Sequence, residues 1–406
     1  MRLLYFFSIL ICFLISCSTE NQQQSSLVDK PNFVFLFADD YTFDALHYMG
    51  NEHINTPNLD RLAASGVTFT HAYNMGGWHG AICVASRSMI ISGTSLWPAQ
   101  EVERSWQKSN GKEVQGTWGK LLEEAGYDTY MTGKWHVRAD VDEVFKYTND
   151  VRPGGMPKDY WVGNDSTWRK VSEAYESGED LSTVLPLGYN RPLSEQDTSW
   201  TADNPIHGGY WEGGTHWSEV VKNNGIDFLN QAGERERPFF MYLAFNAPHD
   251  PRQAPKEFLD LYPVENIPLP ESWLPEYPYK DSIGNSPLLR DEALGPYPRT
   301  PYAIKTHIRE YYAIISHLDH QIGEVLDALE QSGRLDNTYI FFPGDHGLSV
   351  GRHGFLGKQS LFDHSVRVPL IASGPGLPKN QQIDADVYLQ DIMPTSLELA
   401  GVDKPE

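Results

Sequence analysis

Cysteine is scarce in this chain, since the 406 residues include three. Two of them, Cys12 and Cys17, lie in the N-terminal segment, which leaves Cys83 as the internal thiol. A disulfide framework inside the folded part of the chain is therefore excluded. A lone internal cysteine is most often a buried structural residue, so a chemical role for Cys83 has to come from its neighbours.

Positive charge is also in short supply. Lysine and arginine number 32 against 54 aspartates and glutamates, which gives a formal net charge of −22. Such a surface repels polyanions, so nucleic acid is excluded as a partner. If the substrate is itself anionic, basic side chains must be concentrated at the binding site.

The apolar run at the N-terminus is too short to cross a bilayer. The run covers residues 3–16 and follows Met1-Arg2. Its last three residues together with Cys17 read Leu-Ile-Ser-Cys at 14–17, which resembles a bacterial lipobox. We predict a lipoprotein signal peptide over 1–16, a lipid anchor on Cys17 and a polar tether over 17–30, with an ordinary secretory signal as the alternative. Both interpretations predict export, and the first predicts attachment in the bacterial periplasm or at the cell surface.

Strands and helices alternate along residues 31–406, which we interpret as the catalytic domain. Continuous apolar runs predict strands buried on both faces at 32–37, 128–131, 238–245, 339–342 and 368–372. Caps and apolar stripes predict helices at 56–66, 117–124, 216–230, 304–331 and 391–400. The fold class is therefore α/β, with a largely parallel central sheet flanked by helices. Periodicity fades over 138–214, which we interpret as an insertion over the active-site face.

Carboxylates follow two of the predicted strands at their carboxyl ends. Asp39 and Asp40 come directly after the first strand, and Asp345 with His346 comes after the strand at 339–342. In open α/β sheets ligands bind at this edge, and three converging carboxylates suit Ca²⁺ or Mg²⁺. For Asp39 and Asp40 alone, helix capping or a solvated turn would be the more common explanation.

The stretch Cys83-Val84-Ala85-Ser86-Arg87, with Ser92-Gly93 after it, carries a resemblance to a known family. It resembles the signature of type I sulfatases, Cys-x-Pro/Ala-Ser-Arg followed five residues later by Ser/Thr-Gly. In that family a maturation enzyme oxidises the cysteine to formylglycine, whose hydrate is the nucleophile. The resemblance covers nearly all of 32–402 and implies an alkaline-phosphatase-like fold. The family's small C-terminal antiparallel subdomain is expected to be missing.

A geminal diol suits sulfate ester cleavage for a chemical reason. A serine nucleophile would be left as a stable sulfate ester after the attack. In the diol, one hydroxyl attacks sulfur and the other collapses to the aldehyde and expels sulfate, which divides one difficult step into two.

The resemblance also implies a role for each site residue. Arg87 holds the aldehyde hydrate and sulfate oxygens, and Lys134 of Gly-Lys-Trp-His binds sulfate. His136 deprotonates the spare hydroxyl. His249 of Pro-His helps protonate the leaving alcohol, and Lys358 neutralises charge on the ester oxygen. Calcium, with magnesium as the less favoured ion, would be held by Asp39, Asp40, Cys83, Asp345 and His346.

These expectations describe an exported, calcium-dependent sulfatase that acts on a sulfated polysaccharide or its oligosaccharides. Its partners would be the glycan and a formylglycine-generating maturation enzyme. Algal polymers such as ulvan or carrageenan are favoured, with host glycosaminoglycan or mucin as the alternative. Two rivals stay open: a phosphoesterase of the same superfamily, and a glycan-binding surface lipoprotein without catalysis. Trp78, His79 and Trp135 lie beside these elements and are candidate sugar contacts.

Overall fold

The computed structural model describes residues 30–80, 82–154, 165–205, 209–212 and 214–403. The predicted signal peptide, the lipid anchor at Cys17 and nearly all of the tether lie outside these ranges, as do parts of 138–214. Among the residues so described, no helix combines the length and hydrophobicity that crossing a bilayer requires.

Within the described ranges, nine strands form one central sheet, and two further strands pair separately. In chain order the strands are β1 (Asn32–Phe37), β2 (Val67–Tyr73), β3 (Asp128–Lys134), β4 (Tyr147–Arg152), β5 (Trp211–Glu212), β6 (Thr215–His216), β7 (Phe239–Ala244), β8 (Thr338–Pro343), β9 (Arg367–Val368), β10 (Leu370–Ser373) and β11 (Gln381–Tyr388). The order across the sheet is β11-β2-β10-β8-β1-β7-β3-β4, and β9 pairs with β2. The separate pair is β5 with β6.

Helices cover both faces of this sheet. They are α1 (Pro57–Ser65), α2 (Ile82–Ser92), α3 (Leu96–Lys108), α4 (Trp118–Glu124), α5 (Val141–Val144), α6 (Asp165–Ser177), α7 (Trp217–Gly233), α8 (Lys256–Leu259), α9 (Pro301–Gln331), α10 (Asp363–Val366) and α11 (Ile392–Leu399). Alternate residues of β1 belong to different hydrophobic clusters: Val34 packs in a core shared with α1, α7 and α9, and Phe35 in a core shared with α4 and α11. The central strand is therefore buried on both sides.

The predicted α/β class is confirmed, and the differences have physical causes. The strand predicted at 368–372 consists of two short strands, β9 and β10, with Pro369 between them. β9 pairs antiparallel with β2, and β10 pairs antiparallel with β8. In the central sheet, β2, β4 and β11 were not predicted, and neither was the separate pair of β5 and β6. β11 is an edge strand whose side chains are mostly exposed, so it has no apolar run to reveal it.

The segment 138–214 contributes to the sheet as well as to loops. Its residues Tyr147–Arg152 form β4, which pairs in parallel with β3 at one edge of the sheet. This part of the predicted insertion at 138–214 therefore belongs to the central sheet. Farther along the segment, the Tyr210 hydroxyl donates a hydrogen bond to the carbonyl of His249, at 3.0 Å.

Four neighbouring strands bring the polar strand ends together. β8, β1, β7 and β3 lie side by side and are parallel, so their carboxyl ends meet at one edge of the sheet. Beyond the strands, backbone hydrogen bonds continue the alignment: Asp345 N donates to Ala38 O at 3.0 Å, and Asp39 N donates to Ala247 O at 3.1 Å. The residues that follow these strands therefore share one small region.

Candidate active site

Cys83 lies in the first turn of α2, which places it against this edge of the sheet. It is a free thiol, 2% exposed, and its Sγ is 3.2 Å from His346 Nε2 and 3.5 Å from Lys358 Nζ. Burial opposes ionisation of the thiol, but the positive charges of Lys134, Lys358 and His346 outweigh it. They hold the pKa of Cys83 well below its usual value, which favours the thiolate.

Asp345 organises the backbone around the cysteine. Its Oδ1 accepts hydrogen bonds from the backbone N–H groups of Asp40 and His346, both at 3.0 Å, and its Oδ2 accepts from Arg87 Nε at 3.3 Å. The hydroxyl of Ser86 donates to the Asp345 carbonyl at 2.6 Å. The loops after β1 and β8 and the helix α2 are therefore joined through one buried residue.

Four of the five predicted metal ligands form one compact group. Asp39, Asp40, Cys83 and His346 each offer a ligand atom, and these atoms lie within 4.8 Å of one another. The fifth, Asp345, is adjacent, with its Oδ1 3.6 Å from His346 Nε2, but both its oxygens already accept hydrogen bonds. The group therefore contains two carboxylates, a thiol and an imidazole, with Asp345 beside them.

Three observations show that a cation fits here. Asp39 Oδ1 is buried without a hydrogen-bond partner. His346 Nδ1 is 3.0 Å from the Gly347 carbonyl, which only accepts, so Nδ1 carries a proton and Nε2 faces the carboxylates. Burial opposes charging of this ring, but Asp345 and Asp40 outweigh it and raise the pKa of His346 well above its usual value, which favours a second proton on Nε2 where a cation would replace it. Burial and the charge of Asp39 raise the pKa of Asp345 to about 7. A divalent ion would relieve this crowding of negative charge.

Lysines supply the local positive charge that the acidic chain lacks elsewhere. Lys134 Nζ contacts Asp39, and Lys358 Nζ lies 2.8 and 3.0 Å from the two oxygens of Asp40. Gly133 makes the placement of Lys134 possible: its φ is +95°, and a Cβ there would lie 1.9 Å from the carbonyl oxygen of Ala244 on β7. A glycine is therefore required before this lysine.

The two predicted catalytic histidines have opposite protonation preferences. Burial lowers the pKa of His136, despite its hydrogen bond with Cys83, so the ring is neutral and can accept a proton. Burial also opposes charging of His249, but Asp40 and Asp250 outweigh it and raise the pKa of that ring. Its Nδ1 donates to the Asp250 carbonyl at 2.7 Å, and its Nε2 lies 3.8 Å from Asp40. One ring suits a general base and the other a general acid.

The remaining predicted residues differ in burial. Arg87 is fully buried and donates from Nη1 to the Lys134 carbonyl at 2.7 Å, while its Nη2 has no hydrogen-bond partner. Trp135, predicted as a sugar contact, is instead a core residue: it is 3% exposed and packs against Phe145. Trp78 and His79 are at least partly exposed in the loop that precedes α2.

Comparison with known proteins gives the family. A family model described as Sulfatase matches residues 31–402, which is most of the chain. This chain belongs to the sulfatase family. It is a sulfuric ester hydrolase, as the signature around Cys83 predicted.

Named relatives agree with this assignment. The sulfatase is 31% identical to a sulfatase of Formosa agariphila, over 99% of its own length and 75% of the relative's. It is also 31% identical to an arylsulfatase of Clostridium perfringens, over 93% and 76% of the two chains. The structure resembles a phosphonate monoester hydrolase from Silicibacter pomeroyi with a TM-score of 0.68 at 21% identity, covering 92% and 74%. That likeness confirms the alkaline-phosphatase-like fold.

Some residues of the sulfatase site were not predicted from the sequence. Asn74 Nδ2 donates to the Asp345 carbonyl at 3.0 Å, and the Tyr311 hydroxyl donates to the Asp40 carbonyl at 2.7 Å. That second bond supports Asp40 in a left-handed conformation, with φ of 65°. Tyr311 lies in the helix predicted at 304–331, and an apolar stripe gives no sign of a polar contact at the far end of one of its side chains.

Proposed function

We propose that this sulfatase hydrolyses sulfate esters of a sulfated polysaccharide or its oligosaccharides, with formylglycine made from Cys83 as the nucleophile. The observation that carries the proposal is the arrangement of charges around residue 83. Lys134 and Lys358 lie beside it, the raised pKa of His249 favours a charged ring 3.8 Å from Asp40, and the lowered pKa of His136 favours a neutral one. Buried cations at this place would bind a sulfate group and stabilise negative charge as the ester bond breaks.

Each residue contributes a distinct step in this proposal. Formylglycine hydrate at residue 83 would supply one hydroxyl to attack sulfur and a second to expel sulfate. Lys134 holds a sulfate oxygen, and Lys358 faces the ester oxygen. His249 gives a proton to the leaving alcohol, and His136 takes the proton of the second hydroxyl. Arg87 fixes the position of Lys134 through the backbone hydrogen bond already described.

The proposed cation is calcium, with magnesium as the less favoured ion. Asp39, Asp40, residue 83 and His346 would hold it, and Asp345 would complete the negative charge around it. Carboxylate oxygens are the ligands that both ions prefer in proteins. When bound, the ion would act as a Lewis acid toward sulfate oxygen.

Removing the metal should abolish activity and lower thermal stability. A chelator should reduce sulfate release by roughly a hundredfold or more, on the scale of losing several kcal/mol of Lewis-acid stabilisation. Calcium should restore the rate and raise Tm in a concentration-dependent way. Both quantities can be measured on the same preparation, with its metal content determined by elemental analysis.

A pair of nearby carboxylates provides a matched control for this experiment. Asp40→Asn removes a proposed ligand and should abolish the calcium-dependent rise in Tm. Asp44→Asn changes a carboxylate four residues away that pairs with Arg352 outside the compact group, so its Tm should still respond to calcium. Full activity and an unchanged Tm in metal-free wild type would contradict the assignment.

Relatives support a sugar sulfate as the substrate. An ulvan-active sulfatase of Formosa agariphila is 25% identical over 97% of this chain. An N-acetylglucosamine-6-O-sulfatase of Bacteroides thetaiotaomicron is 24% identical over 97%. The ulvan-active relative supports algal polymers such as ulvan or carrageenan, which we place first, and the N-acetylglucosamine-6-O-sulfatase supports the alternative of host glycosaminoglycan or mucin.

A substrate screen tests the proposal directly. Purified enzyme, made together with a formylglycine-generating enzyme, is incubated with sulfated mono- and oligosaccharides, and released sulfate is measured. Phosphate and phosphonate esters of the same alcohols form the second arm, since phosphonate monoester hydrolases share the fold. Sulfate release from at least one sugar is expected. Cleavage of the phosphorus esters alone would favour the phosphoesterase, and glycan binding without any cleavage would favour the binding protein.

We also propose an exported location and a maturation partner. The leader ending at Cys17 supports export with a lipid anchor, in the periplasm or at the cell surface. The Cys83 signature supports a formylglycine-generating enzyme as the partner that modifies the chain before it folds around the buried thiol.

A further inference from the structure

Three consecutive residues between α8 and α9 contact the segments that carry the catalytic groups. Arg290, Asp291 and Glu292, which we call the strap, precede α9, and the side chains of Asp291 and Glu292 are buried. None of the three belongs to the sulfatase signature or to the proposed metal group. They contact the loop after β7 and the Gly357-Lys358 turn directly, and they reach the loop before α2 through Gln359.

Arg290 clamps the residue that follows His249. Its two terminal nitrogens donate to the two oxygens of Asp250, at 2.9 and 3.0 Å. Asp250 Oδ1 in turn lies 3.3 Å from His249 Nδ1. A forked arginine–carboxylate pair fixes orientation as well as distance, so it defines where the His249 ring points.

Asp291 and Glu292 hold the turn that carries Lys358. Glu292 accepts hydrogen bonds from the backbone N–H groups of Leu356 at 3.0 Å and Gly357 at 2.9 Å. Asp291 accepts from the Gln359 side-chain amide at 2.8 Å, and the same amide donates to the Gly80 carbonyl at 3.1 Å. Gln359 Oε1 also accepts from Lys358 N at 3.1 Å. Hydrogen bonds therefore hold the residues on both sides of Lys358, Gly357 and Gln359.

The fit between strap and turn is close. A Cβ on Gly357 would lie 2.8 Å from the Asp291 Cβ and 2.9 Å from Glu292 Oε1. Contacts of this kind leave the turn little freedom to move relative to the strap. The strap therefore connects the two groups that face the leaving alcohol, His249 and Lys358, to the loop that leads into Cys83.

We propose that the strap Arg290-Asp291-Glu292 is a positioning element that sets His249 and Lys358 at the leaving-group side of residue 83. This inference rests on the proposed function and adds the residues that determine its geometry. A displacement of about 1 Å in a catalytic group is enough to slow a reaction by roughly a hundredfold. Loss of the strap should therefore affect substrates that need leaving-group assistance and spare those that do not.

Glu292→Gln tests the proposal with a minimal change. The amide replaces one of the two backbone-binding oxygens with a donor, so the Leu356–Gly357 turn should shift. With a sulfated sugar, kcat should fall by about tenfold or more, whereas with nitrophenyl sulfate it should fall by less than about threefold, because nitrophenol leaves without help. In the double variant that carries Glu292→Gln and Lys358→Ala, kcat on the sugar substrate should be little lower than in Lys358→Ala alone.

Asp319→Asn is the matched control. Asp319 is another buried carboxylate that accepts two backbone N–H groups, those of Asn58 and Leu59, and none of these residues belongs to a catalytic segment. It should lower Tm as Glu292→Gln does, while the ratio of rates on the two substrates stays at the wild-type value. If Glu292→Gln does not fold, Gln359→Leu, at a half-buried position, breaks the Asp291–Gln359–Gly80 connection and should change the ratio in the same direction.

The outcomes separate this inference from the proposed function. Equal losses on both substrates, or losses that add fully to those of Lys358→Ala, would overturn the strap while leaving a working sulfatase. A wild-type enzyme that cleaves neither sulfate ester would overturn the proposed function itself.

Discussion

Protein made without a formylglycine-generating enzyme should fold normally and release almost no sulfate. The Cys83 thiolate is surrounded by cations and can attack sulfur, but it would then carry the sulfonate without a second hydroxyl to expel it. We expect the rate to be lower by roughly a thousandfold or more, the scale seen when a catalytic nucleophile is lost. Sulfate release and the mass of the peptide containing residue 83 are measured on both preparations.

The comparison has an internal control, because the two preparations have the same sequence. Their Tm values should agree closely, which separates a chemical defect from a folding defect. Cys83→Ala and Cys83→Ser should be as inactive as the unmodified protein, since neither side chain supplies a geminal diol, and both are smaller than cysteine, so the buried site has room for them. Rapid turnover by a chain whose residue 83 retains its sulfur would show that the nucleophile has been assigned wrongly.

Most of the central fold could be predicted because its strands are buried on both faces. The apolar run of β1 and the polar residues after it, Asp39 and Asp40, predicted both a parallel sheet and the edge where the site would form. The helix α9 could be predicted because one of its faces packs in the core, which gives its sequence a long apolar stripe.

A helix that is buried on all sides was not predicted. In α2 every residue from Cys83 to Ile91 is buried, so no apolar stripe stands out against a polar face and the helix has no periodic signal. Trp135 was misinterpreted because its position beside Lys134 suggested the site, whereas alternation along the chain directs it into the core.

The strap was invisible in the sequence for another reason. Arg290 and Asp250 are 40 residues apart, and Asp291 and Gln359 are 68 apart. Contacts over such separations depend on the folded path of the chain, and a short Arg-Asp-Glu run by itself is usually a solvated surface segment. The burial of Asp291 and Glu292 is what distinguishes this run from an ordinary charged loop.

His249→Ala should slow turnover of a sulfated sugar by roughly a hundredfold or more, the usual scale for a general acid. A sugar hydroxyl is a poor leaving group and needs the proton, whereas nitrophenol does not, so nitrophenyl sulfate should be affected much less. His136→Ala should reduce turnover of both substrates alike. Its step follows departure of the alcohol, and sulfate should accumulate on residue 83, where mass analysis of the quenched enzyme would detect it.

The two environments make this division of roles the expected one. Asp40 and Asp250 raise the pKa of His249 and burial lowers that of His136, so each environment favours the protonation state that the step of its ring requires. His320→Ala changes an exposed histidine on α9 and should leave both rates unaltered. If His249→Ala and His136→Ala gave equal losses on both substrates, with no sulfate retained by either variant, the acid and the base would have to be reassigned. Retention of sulfate by His249→Ala alone would exchange the two roles.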